Sequence, residues 1–83
     1  MSSVYHGSFR DILIRMFTDF VTDVMQRLAQ YELIDDGEPY YGSIPGFRGV
    51  WAQGKSLKEC EENLREVLEE WLLLKIRKKQ VLQ

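Results

Sequence analysis

The chain has 83 residues, 45% of them hydrophobic and 29% charged, with a formal net charge of −2 and a single cysteine, Cys60. That length predicts one domain over 1–83 with a thin core, since only about 60% of the unfolded surface is buried at this size, and such a core is often completed by another copy or a partner. The charge argues against nucleic acid as the main ligand, because phosphate neutralisation needs a basic excess, while one cysteine excludes an internal disulfide and a cysteine-held zinc site.

Residues 1–7 are polar, include His6 and Gly7, and read as a loose end; they lack the basic start and apolar core of a signal peptide. With no run near the ~18 apolar residues that span a bilayer, a cytoplasmic protein is expected, away from any membrane. Residues 8–28 then place apolar side chains at 9, 12, 13, 16, 17, 20, 21, 24 and 28, the repeat of an amphipathic helix. Ser8 and Asp11 resemble a capping pair at its start. Its acidic and basic residues balance, unlike the basic polar face of a membrane-surface helix. Phe9, Ile12, Leu13, Met16, Phe17 and Phe20 are therefore expected in the core or at an oligomer interface.

Residues 29–54 change period. Tyr31 to Ile34, "YYGSI" and "GVWAQG" read as three short strands. "DDGEP" between the first two is turn chemistry, with Asp-Gly able to take a positive φ and Pro39 closing the turn. "PGFRG" suits a wider loop between the second and third. Residues 56–79 return to the helical repeat: Ser56 with Glu59 is a capping box, glutamates crowd the start, and Lys75, Arg77, Lys78 and Lys79 sit at the far end, each group complementing the helix dipole. The expected fold is α+β, a two-layer sandwich in the order α-β-β-β-α, with an antiparallel meander under helix.

Signals for chemistry are thin. Gly49 to Ser56, "GVWAQGKS", formally fits the spacing of a phosphate-binding loop, but Val50, Trp51 and Ala52 are strand formers and no further βα units follow. A Cys60–His6 pair would need the N-terminal end pinned beside a helix position that reads as core. Asp35, Asp36 and Glu38 form a carboxylate cluster that a turn explains better than a cation does. No cofactor is expected, and the chain is not expected to be an enzyme.

The middle of the chain, "YELIDDGEPYYGSIPGFRGVWAQGKSLKECEENLREVLEEWL", resembles the N-terminal module of the HicB family of antitoxins. The shared order is an aromatic and apolar strand (Tyr31 to Ile34), an acidic turn (Asp35 to Glu38), an aromatic strand ending in proline (Tyr40 to Pro45), glycines at Gly49 and Gly54, and a helix bearing Ser56, Glu59 and Asn63. The sequence departs from the family in lacking the loop's second proline and in having Val50 where cysteine is frequent. The resemblance implies a stand-alone HicB-like module that binds and occludes a small basic HicA-type toxin, an mRNA-cleaving ribonuclease, and that assembles as a dimer or higher oligomer. Asp35, Asp36, Glu38, Phe47 and Arg48 are the expected toxin-contacting residues. Full antitoxins add a C-terminal DNA-binding domain; the sequence has none before Gln83, so direct DNA binding is not expected. Two alternatives stand beside this: a self-assembling domain without a toxin, and a nucleic-acid binder or nuclease built on the same fold.

Overall fold

The structure, a computed structural model, describes residues 9–81, and side chains as far as residue 77. The loose end at 1–7, His6, the Ser8 half of the helix cap and the Lys78 and Lys79 side chains lie outside the described residues. The order is α1 (Phe9–Leu28), β1 (Gln30–Leu33), β2 (Tyr40–Ser43), β3 (Trp51–Gly54) and α2 (Leu57–Val81). It is the expected α-β-β-β-α arrangement, an α+β fold around an open antiparallel sheet ordered β1-β2-β3. The strands are four residues each: β1 lies one residue earlier than the run Tyr31 to Ile34, and β2 and β3 are shorter than the runs YYGSI and GVWAQG. Ile34 falls outside β1 although its N–H still donates to the Pro39 carbonyl at 2.8 Å in the ladder's register, because Pro39 has no N–H to continue the pairing. Gly49 falls outside β3 because its φ of 84° breaks the extended backbone.

Strand register decides which side chains face the helices. Tyr31, Gly42 and Ala52 lie opposite one another across the sheet, as do Leu33, Tyr40 and Gly54. Side chains alternate between faces along a strand, so these positions share a face with Ile44 and Val50. That face is closed by α2, whose Cys60, Leu64 and Leu68 are fully buried with Val21 of α1. The small residues make the approach possible. A Cβ on Gly54 would sit 2.5 Å from the Cys60 backbone nitrogen, and one on Gly42 would sit 3.1 Å from the Cys60 sulfur.

α2 is also fastened to the edge of β3. Half of the capping box forms as read, the Glu59 N–H donating to Ser56 Oγ, while Glu59 Oε1 accepts from the Lys55 N–H, one residue before the cap, rather than from Ser56. One and then three turns on, Asn63 Nδ2 donates to the Gln53 carbonyl at 2.9 Å and Trp71 Nε1 to the Arg48 carbonyl at 3.1 Å. Cys60, Asn63 and Trp71 thus hold the helix along the third strand and the loop before it. α1 engages differently. Only its second half enters the core, through Val21 and Val24 with Phe17 and Met25 packed beside them, and Arg65 ties it to α2 by donating to Thr22 Oγ1 at 2.9 Å. Residues 9–16 are exposed throughout. Among the described residues no helix is long and apolar enough to cross a membrane.

Candidate partner-binding surface

The face of the sheet turned away from α2 has no element packed on it among the described residues. It carries Gln30, Glu32, Tyr41, Ser43, Trp51 and Gln53, the alternate positions of the three strands. Tyr41 and Trp51 stack diagonally across β2 and β3 with ring centroids 5.9 Å apart, and half of Trp51 stays open to solvent. Glu32 is exposed beside them.

The turn at 35–38 continues this face. Asp36 Oδ1 accepts the Glu38 N–H at 3.0 Å, and the Asp36 N–H reaches the Ile34 carbonyl at 3.1 Å. The aspartate side chain therefore shapes the turn, and Gly37 is not in the positive-φ conformation that the sequence allowed. Gln53 Nε2 donates to the Glu38 carbonyl at 3.0 Å, anchoring the turn to the end of β3. Asp35, Asp36 and Glu38 are exposed, and with exposed Glu32, which pairs with Tyr41, they put four carboxylates at the Tyr41 end of the sheet. Among the described residues none of the four has an ion-pair partner; the salt bridges are Arg27–Asp23, Lys58–Glu62 and Arg65–Glu69.

Phe47 and Arg48 lie elsewhere. The β1–β2 and β2–β3 connections leave a meander at opposite ends, so residues 45–49 sit a strand's length, about 13 Å, from the acidic turn. That loop is two consecutive tight turns, closed by Phe47 N–H to Ile44 carbonyl at 3.0 Å and Val50 N–H to Phe47 carbonyl at 3.1 Å. Gly46 and Gly49 supply the positive φ values of 91° and 84° that the turns need. Phe47 is half-buried against Trp71, ring centroids 5.0 Å apart, and helps close the core. The Arg48 side chain is exposed while its carbonyl is held by Trp71. The expected contact residues are thus divided: the three carboxylates join the aromatic face, Arg48 stands at the far end, and Phe47 is turned inward.

A second concavity, of about 430 Å³, lies between the end of α1, the start of β1 and the first turns of α2. Met25, Ala29 and Tyr31 form its floor, and Glu61 and Arg65 its wall. Arg65 is committed to Thr22 and Glu69. Burial, and then the charge of Glu61, raise the Tyr31 hydroxyl above its ordinary pKa, and the same two causes in the same order raise the Cys60 thiol. Above the ordinary thiol value of 9.0 the unfolded chain gives up the Cys60 proton while the folded chain keeps it. The unfolded state then binds fewer protons, so stability falls as pH rises. We expect the urea midpoint to be flat through neutrality and to drop on the alkaline side, with Cys60→Ala removing part of that drop. An alkaline limb identical in the two proteins would exclude the thiol as its source.

The remaining sequence signals resolve structurally. Lys55 and Ser56 of the phosphate-loop spacing are occupied by the capping box, and Val50 to Gly54 are core and strand. Cys60 Sγ is buried and donates to the Ala52 carbonyl at 3.7 Å. Among the described residues no three of His, Cys, Asp and Glu converge to hold a metal ion.

Comparison with known proteins adds lineage to this geometry. Residues 19–82 match the UPF0150-like family. The crystal structure of TTHA0281 from Thermus thermophilus is similar at 56% sequence identity, covering 75% of each chain with a TM-score of 0.71. No curated protein matches.

Proposed function

The chain belongs to the UPF0150-like family, and from that premise we propose that it is an antitoxin-type module whose open sheet face binds a small basic ribonuclease of the HicA type and occludes it. The observation that supports this reading is the pairing of an exposed aromatic stack with four exposed carboxylates that, among the described residues, have no ion-pair partner. An aromatic platform supplies the desolvated centre of an interface. The carboxylates around it supply a negative field that speeds encounter with a basic protein and disfavours neutral or acidic ones. Inhibition is steric: the toxin's RNA-binding surface is basic by necessity, and covering it with an acidic face leaves RNA no place to bind. No catalytic group of this chain takes part.

The test is co-expression of the tagged protein with the small basic protein encoded by the neighbouring reading frame, followed by an RNA-cleavage assay on the purified pair. A stable complex that does not cleave RNA is expected. Asp36→Lys should weaken that complex at least tenfold, mainly through slower association and with a reduced salt dependence. An unchanged affinity would remove the acidic turn from the interface. Failure of any basic protein to bind at low salt would remove the reading itself.

A further inference from the structure

The two edges of the sheet differ. At β3, Asn63 covers the Gln53 carbonyl, and Trp71 covers the Arg48 carbonyl just before the strand. The edge of β1 has no such cover. The Ile34 N–H donates to the Pro39 carbonyl in the register that pairs Glu32 with Tyr41 and Gln30 with Ser43. Bonded and non-bonded pairs alternate in an antiparallel ladder. Gln30 and Glu32 therefore direct their backbone groups to β2, and the N–H and C=O of Tyr31 and Leu33 point out of the sheet. The β2–β3 ladder gives the same parity, since the Ile44 N–H donates to Val50 and leaves Tyr41 and Ser43 to bond β1. Among the described residues nothing meets these outward groups, and the Leu33 side chain beside them is 69% exposed.

Tyr31 of this edge also lines the concavity of about 430 Å³, which falls within the range of ligand clefts, about 300–1,000 Å³. Met25, Ala29 and the Tyr31 ring give it an apolar floor. Of its charged groups, Glu62 is paired with Lys58, and Arg65 is held by Glu69 and Thr22. Glu61 has no ion-pair partner among the described residues. Its charge reaches the floor: after burial, it is the next cause that raises the Tyr31 hydroxyl above its ordinary pKa.

We propose that the β1 edge and this concavity form one site for an extended segment of another protein, which adds antiparallel as a fourth strand and lays an arginine or lysine over Tyr31 with its charge on Glu61. Main-chain bonds to Tyr31 and Leu33 hold the added strand, and its alternate side chains set the choice of sequence. The residue opposite Tyr31 shares the face of Tyr31, the side on which the concavity lies. Its methylene stem covers Met25, Ala29 and the ring while its cation stays at the mouth, and an apolar residue two places along covers Leu33. A second copy of this chain fits worse. Its own edge strand, Gln30 to Leu33, has no cation for Glu61 and brings a further carboxylate, Glu32. The site is the edge of the sheet and not its open face, so it stands apart from what that face binds.

The experiment is amide hydrogen exchange and titration of the isotope-labelled full chain with the peptide acetyl-Thr-Val-Thr-Arg-Thr-Val-Thr-amide. In the free chain the amides of Glu32 and Ile34 should be protected, and those of Tyr31 and Leu33 should exchange fast. At about 1 mM peptide, enough to detect affinities of that order, Tyr31 and Leu33 should become protected as well. Norleucine in place of the arginine should weaken binding about tenfold or more. Glu61→Gln should weaken the arginine peptide to the same extent and leave the norleucine peptide unchanged. Methylating the backbone nitrogen of the arginine, which faces β1, should abolish binding, whereas methylating that of a neighbouring threonine, which faces away, should not. Tyr31 and Leu33 amides already protected in the free chain would mean that the edge is covered by this chain or by a second copy. That result, no protection on adding the peptide, or equal affinity for the arginine and norleucine peptides would each overturn the proposal.

Discussion

Gly54→Ala is expected to lower stability by about 3 kcal/mol, the upper end for an added core methyl group. The reason is what the methyl would meet. Its carbon would lie 2.5 Å from the nitrogen and 2.8 Å from the Cα of Cys60, and 3.0 Å from the carbonyl carbon of Glu59. All three atoms are backbone of the first turn of α2, so no rotamer change relieves the contact. The helix must move, and Leu64 and Leu68 move with it, although both are fully buried. The other glycines grade the argument. At Gly42 the nearest atoms are Tyr31 ring carbons at 2.9 Å and the Cys60 sulfur at 3.1 Å, side chains that can turn, so alanine there should cost less. At Gly49 nothing lies within 4 Å, and only the left-handed backbone is penalised, by about 1–2 kcal/mol. Equilibrium urea unfolding of the three alanine variants should rank Gly54 as the most damaging. A Gly54 variant within ~0.5 kcal/mol of wild type would mean that α2 does not lie this close to β3. Total stabilities of only about 5–15 kcal/mol make such a loss easy to read.

The elements most legible in the sequence are those fixed by local chemistry. Ser56 and Glu59 mark the start of α2 because a capping box is local, and the apolar repeat of α1 appears because helical period is local. The acidic turn was also readable, although its mechanism was not: Asp36 closes it through its side chain, and Gly37 contributes no positive φ. What the sequence hides is side. Phe47 and Trp51 look alike as aromatics within two residues of Gly49, yet one turns inward against Trp71 and the other outward beside Tyr41. Register decides between them, and a signal for it was present. Gly42, Ala52 and Gly54 are the small residues that let α2 come close, so the larger residues alternating with them, Tyr41, Trp51 and Gln53, must face away. The division of the expected contact residues between two ends of the sheet was likewise implicit in a meander, whose successive turns point opposite ways. The two faces of α1 are harder to separate, because one wide apolar stripe serves a core contact and an open seam; only burial distinguishes Val21 from Phe20.

Trp51→Ala should reduce affinity for the basic partner at least thirtyfold, about 2 kcal/mol or more, while leaving the fold close to intact. The two halves of that expectation have separate physical causes. Trp51 is 50% exposed and touches Tyr41 on a face that no helix among the described residues covers, so its removal opens no core cavity; it forfeits only a stacking contact worth about 0.5–1.5 kcal/mol. In a complex the same ring would be the largest exposed apolar side chain on that face, the kind of aromatic whose truncation costs most when a partner buries it. Trp71 provides the contrast. It packs on Phe47, donates to the Arg48 carbonyl and carries Lys75 over its ring at 5.0 Å, so Trp71→Ala should cost about 3–5 kcal/mol of stability and lower binding only by unfolding the protein. Calorimetric titration at fixed salt, with urea midpoints measured on the same samples, separates the two. Should Trp51→Ala bind as tightly as wild type, the uncovered sheet face is not where the partner sits, whatever the charge around it.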